Sequence, residues 1–245
     1  MSMERLVITN MVFKGMKKIV LFAVGLVASA TTLAQDKVET TVAADVVSKY
    51  VWRGLDCAHV SAQPTLGVAY KGLSLSAWGN VSIEPTDTKE FDLTASYTTG
   101  GLTIGLTDYW FDTPEERYFY YNAHGTSHVF EAFASYDFGF LSAAWYTNFA
   151  GNDGVNKDGK RAYSSYVELN APFQLGGVEW KGTLGAVPYA TTTYDVSGFA
   201  VTNVALKATK DIKITDSFSL PIFAQVVANP AAQRAYFIFG LTLQP

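Results

Sequence analysis

Glu90-Phe91-Asp92-Leu93-Thr94-Ala95-Ser96-Tyr97 changes character at every step: the even positions are polar and the odd ones apolar. Successive side chains of a strand point to opposite faces, so this stretch has one wet and one oily face. A helix would mix the two sets around its circumference.

The same period of two recurs along the chain. Over 39–53, Val42, Ala44, Val46, Tyr50 and Trp52 share one parity, and Thr41, Asp45, Lys49 and Arg53 the other, which reads as one strand. Similar alternation covers 65–70, 73–82, 90–98, 102–110, 129–136, 141–149, 163–173, 178–187, 199–209, 218–228 and 235–243, which makes twelve expected strands. Short connections at 71–72, 99–101, 137–140, 174–177 and 210–217 alternate with longer ones at 54–64, 83–89, 111–128, 150–162, 188–198 and 229–234. Tight turns on one side and long loops on the other are the pattern of a membrane-crossing barrel.

The fold class expected is therefore all-β: a closed antiparallel up-and-down transmembrane β-barrel of about 12 strands, both termini on the short-turn, periplasmic side of a bacterial outer membrane. Closure has a physical cause. Hydrocarbon offers no water to a free strand edge, and each unpaired backbone group there costs several kcal/mol.

Upstream, Met16-Lys17-Lys18, an apolar run over 19–27 and the small residues of 28–34 read as a signal peptide cut after Ala34. The apolar run is shorter than the roughly 20 residues a spanning helix needs. Residues 1–34 are thus expected to be a leader, with Met16 its functional start, and 35–245 a single barrel domain with no separate plug. Without the leader, 14 of 18 basic and 21 of 22 acidic side chains remain, a net charge near −7. No basic stripe is present, so nucleic acid is not an expected partner.

Aromatic residues make up 14 % of the chain and charged ones only 16 %, a balance suited to a lipid-bathed wall with aromatic belts. On the expected parity Trp52, Trp145 and Trp180 face lipid. The lumen set is Asp45, Lys49, Arg53, Glu90, Asp92, Glu131, Glu168, Glu179, Lys181, Lys207 and Gln225. These charges either neutralise one another in a filled interior or line a wet path. Twelve strands about 4.8 Å apart, tilted about 40°, give a backbone radius of roughly 12 Å. That lies between the filled barrels of about eight strands and the wide channels of about sixteen. A narrow channel for small hydrophilic solutes is the expectation, with mild cation preference from Glu90, Asp92, Glu131 and Glu168. The alternative is a non-conducting barrel with a surface binding or structural role.

No enzyme is expected, and no cofactor. Cys57 stands alone, and His59, His124 and His128 lack metal-ligand spacing. His124-Gly125-Thr126-Ser127-His128 groups the chemistry-bearing residues of a hydrolase at an expected loop tip, but without a third orienting group. His124 and His128 are therefore expected to be solvated loop residues. Outer-membrane lipid and the barrel-insertion machinery are the expected partners beside solutes; nothing marks a subunit contact.

Ser48-Lys49-Tyr50-Val51-Trp52-Arg53-Gly54 resembles the first-strand Ser-x-Tyr-x-x-Arg-Gly signature of the TorF-type porin family, with Ser48, Tyr50, Arg53 and Gly54 at the matching positions. The resemblance extends in length and strand rhythm from Val42 to the last strand. It implies an outer-membrane porin, a role assigned in that family largely by fold, and brings neither substrate nor catalytic residues. One departure is the ending Leu241-Thr242-Leu243-Gln244-Pro245, where many such barrels end on an aromatic residue; Phe237 and Phe239 keep the alternation.

Overall fold

The computed structural model describes residues 37–112, 117–122 and 125–245. The expected leader and His124 lie outside the described residues. The strands are β1 (Glu39–Val47), β2 (Tyr50–Trp52), β3 (Leu55–Ala58), β4 (Ser61–Tyr70), β5 (Leu73–Ser82), β6 (Lys89–Thr99), β7 (Leu102–Asp112), β8 (His128–Asp137), β9 (Ser142–Gly151), β10 (Ser165–Leu175), β11 (Val178–Val187), β12 (Ala200–Lys213), β13 (Ser219–Asn229) and β14 (Arg234–Leu243). Twelve of them close a barrel in the order β1-β14-β13-β12-β11-β10-β9-β8-β7-β6-β5-β4, and β2 and β3 form a separate two-stranded sheet. Among the described residues no helix is long and apolar enough to cross a membrane.

Closure runs through β1, which pairs with β4 from Glu39↔Ala69 to Val47↔Ser61 and with β14 from Ala44↔Leu243 to Val47↔Gly240. Every barrel pair is antiparallel. The register places Glu39 and Leu243 at the end of the barrel that carries the short turns. Two-residue turns such as Lys71–Gly72 hold both residues at positive φ, 49° and 86°. That geometry matches the right-handed twist of the flanking strands.

Alternation sorts the walls as the sequence pattern predicts. Leu66, Leu75, Leu106 and Phe237 stand outward and exposed, whereas Gln63, Asn80, Thr107 and Asn148 on the opposite parity are buried inside. In water such an apolar belt would be an aggregation surface; against lipid it is the favourable solvent contact.

The interior is not uniformly polar. Val47, Ala205, Phe223, Val227 and Ile238 form an inward apolar cluster, and Val51 and Tyr236 pack against it. Val51 belongs to β2, so the small hairpin lies inside the barrel. One expectation is thereby corrected: the first strand ends at Val47 instead of continuing to Arg53, and the residues that follow fold into the lumen as a hairpin. The next wall strand starts at Ser61, four residues earlier than expected.

Candidate functional site

The hairpin leaves the wall at Ser48. Its amide donates to the Phe239 carbonyl (2.8 Å) and its Oγ accepts from the Phe239 amide (2.9 Å), so one residue completes the β14 pairing that β1 no longer supplies. Lys49 and Asp56 then form an ion pair across the base of the hairpin (2.7 Å). At the tip, Arg53 and Gly54 have φ of 51° and 84°. A Cβ on Gly54 would collide with the Thr202 carbonyl oxygen, and the Gly54 carbonyl accepts from Asn229 Nδ2 (3.1 Å). The tip is therefore pressed against β12 and β13 so closely that only glycine fits.

Arg53 fastens the tip to the opposite side. Its Nη1 and Nη2 donate to the two carboxylate oxygens of Glu131 on β8, at 2.6 and 2.9 Å, and Nη1 also donates to the Tyr194 hydroxyl at 2.7 Å. Tyr109 on β7 donates to the same carboxylate (2.9 Å). The guanidinium lies over the rings of Trp52, Tyr146 and Tyr166, 4.0–4.7 Å from their centroids. The Arg53 and Glu131 side chains are only 7 % and 2 % exposed. A planar, always-charged group suits this bidentate, ring-sandwiched place; an ammonium could not fill it.

Trp52 stacks on Tyr194, from the loop between β11 and β12, and meets Tyr109 edge-on. Tyr50 is buried against the inward-facing Trp78 of β5. Hairpin and loop together fill the mouth at the long-loop end. Each residue of the Ser48, Tyr50, Arg53, Gly54 signature thus has a task in seating the hairpin.

Of the expected lumen residues, Asp45, Glu90, Asp92, Glu131, Glu168, Glu179, Lys181, Lys207 and Gln225 lie on the inward parity of their strands. Lys49 and Arg53 also face the interior, but from the hairpin and its approach rather than from the wall strand expected to carry them. Trp52 is corrected too, since it points into the mouth and not toward lipid. Trp145 is outward, and Trp180 stacks on the outward Phe173. Asp92 Oδ1 and Asn80 Nδ2, buried beneath the hairpin, have no hydrogen-bond partner among the described residues.

His128 is also corrected. It is fully buried at the start of β8, its Nδ1 2.7 Å from Asp108 Oδ1 and its Nε2 2.6 Å from the Tyr118 carbonyl. Tyr118 and Tyr121 cover its ring. Both ring nitrogens are engaged, and the Nε2 contact with the Tyr118 carbonyl pins the loop after β7 to the wall.

Sequence reasoning missed the participation of Tyr109, Tyr146, Tyr166 and Tyr194. The first three share the inward parity with Glu131 and Glu168, a signal that was present. Tyr194 sits in a loop and carries none.

No family model matches the chain, and no curated protein matches it. Two solved structures align at low likeness. A porin refined at 1.8 Å resolution aligns over 77 % of this chain and 63 % of its own, with 16 % identity and a TM-score of 0.38. The KdgM porin aligns over 82 % and 97 %, with 9 % identity and a TM-score of 0.43. The chain spans about 63 % of the first of these, and at such scores neither adds to what the geometry carries.

Proposed function

We propose that this chain is an exported outer-membrane barrel of the TorF-type porin family, a narrow channel for small hydrophilic solutes with a mild cation preference. The observation that carries this reading is the closed barrel with an oily outer wall and a charged interior. Asp45, Glu90, Asp92, Glu131, Glu168 and Glu179 face in against Arg53, Lys181 and Lys207, an acidic surplus that concentrates cations. In this reading the signal peptide directs export, the insertion machinery seats the barrel and the short-turn end with both termini is periplasmic. In this reading the role is passage, and His128 Nε2, which a hydrolase would need free as a base, meets the Tyr118 carbonyl at 2.6 Å.

The seated hairpin favours a second reading, a non-conducting barrel with a surface role. Planar-bilayer recording of the folded protein separates the two. The channel reading predicts stepwise conductance, with a reversal potential that loses its cation bias in Glu90→Gln and Asp92→Asn. Persistent silence, in the wild type and in a variant whose hairpin is released, rejects it in favour of the second.

A further inference from the structure

The strand register sets Lys181 of β11 directly beside Lys207 of β12, and Lys207 beside Gln225 of β13. All three point inward, so a row of donors crosses three strands at one level. Directly opposed residues have Cβ atoms about 4.5–5.5 Å apart, and like charges there repel. Barrel interiors that only neutralise themselves would answer such a pair with carboxylates. Here, among the described residues, no carboxylate comes within 4.0 Å of either ammonium. The two that act on them from farther away are engaged elsewhere. Glu168, near Lys181, accepts from Tyr166 OH and Asn170 Nδ2, both at 2.8 Å. Asp45, near Lys207, accepts from Thr242 Oγ1 at 2.6 Å. Glu179, two residues from Lys181 on the same face, leads toward the short-turn end.

Lys207 is 7 % exposed, and its ammonium lies 3.7 Å from the centroid of the Phe223 ring, which supports it from one side and offers no acceptor. Lys181 is half-buried. Two ammonium groups and one carboxamide therefore face the lumen below the hairpin with hydrogen-bond capacity unspent. An oxyanion, with several acceptors and negative charge, meets that capacity.

We propose that Lys181, Lys207 and Gln225 form a binding subsite for an oxyanion group, carboxylate or phosphate, on a small solute. This goes beyond the channel reading, because the subsite holds whether or not ions cross the barrel, and its local sign opposes the acidic surplus of the interior.

The test is a titration of the folded, detergent-solubilised protein carrying 13C-labelled lysine side chains, with citrate and separately with inorganic phosphate, at constant ionic strength set by sodium chloride. Lys181 and Lys207 resonances shift saturably with citrate, phosphate or both, while exposed Lys157 drifts without saturating. Saturation by one of the two anions alone supports the subsite and identifies its source chemistry. In Lys207→Gln the half-saturation read at Lys181 rises about tenfold, the equivalent of one charge-assisted hydrogen bond. Should that variant not fold, Lys181→Gln read at Lys207 serves in its place. Non-saturating shifts like those of Lys157 with both anions overturn the proposal. A silent bilayer bears on the channel reading and leaves this titration unaffected.

Discussion

Replacing Arg53 with methionine removes the charge that holds the hairpin tip and leaves Glu131 buried with only the Tyr109 hydroxyl donating to it. Breaking a buried pair from one side costs about 3–5 kcal/mol. Both partners here are almost fully buried and their geometry is bidentate, so the full range applies. With each 1.4 kcal/mol worth about tenfold, the docked hairpin loses roughly two to three and a half orders of magnitude against the undocked form. A two-stranded hairpin alone is marginal in water, so the undocked segment exchanges its amides almost as a coil. Hydrogen exchange of the β2–β3 amides in lipid vesicles reads that loss directly as a fall in protection of the same size. Arg53→Met combined with Glu131→Gln leaves no buried unpaired charge and recovers most of the protection. Unchanged exchange in the single variant, or a double variant that exchanges as fast as the single, refutes the latch.

Gly54→Ala forces a left-handed backbone on a residue with a Cβ, which costs about 1–3 kcal/mol before the collision with the Thr202 carbonyl is added; the same exchange experiment should show the hairpin released in an otherwise intact barrel. Leu106→Arg, midway along β7 and outward, is expected to cost about 2–4 kcal/mol of barrel stability in bilayers; urea unfolding in vesicles with no change in midpoint would count against the outward assignment. Asp87, outside the barrel wall, accepts from the His59 amide at 2.7 Å, and that contact first, then Ser82 and the His59 ring, draw its carboxyl down to about 2. Because the folded value is depressed from 3.8, the clip is fully formed above about pH 4 and is lost as pH falls through about 2. A carboxyl titration of Asp87 centred near the ordinary aspartate value would contradict this clip.

The wall was legible because its physics is local: a strand between lipid and lumen needs a period of two, and β6 shows it without interruption. The hairpin was not. Tyr50 and Trp52 continue the parity of Val42 to Val46, and Lys49 and Arg53 that of Asp45, so the alternation runs on across a break in the strand. What ends β1 is the Ser48–Phe239 exchange of hydrogen bonds, a contact between distant parts of the chain. The adjacent Arg53-Gly54 was a turn signal, but the reading of a continuous strand absorbed it. The inward Val47, Phe223, Val227 and Ile238 escaped for a related reason: a lumen expected to be wet has no place for them until the hairpin brings Val51 to cover them. His128 was misjudged because its burial comes from Tyr118 and Tyr121 folding back over β8, which no local pattern records.

The central claim is that each wall strand has one face in lipid and one in the interior. Nitroxide labels placed singly at positions 90 to 97 in the vesicle-reconstituted protein, scanned for contact with oxygen, test it most directly. Oxygen contact should peak at Phe91, Leu93, Ala95 and Tyr97 and fall at Glu90, Asp92, Thr94 and Ser96. Oxygen contact without that alternation would contradict it.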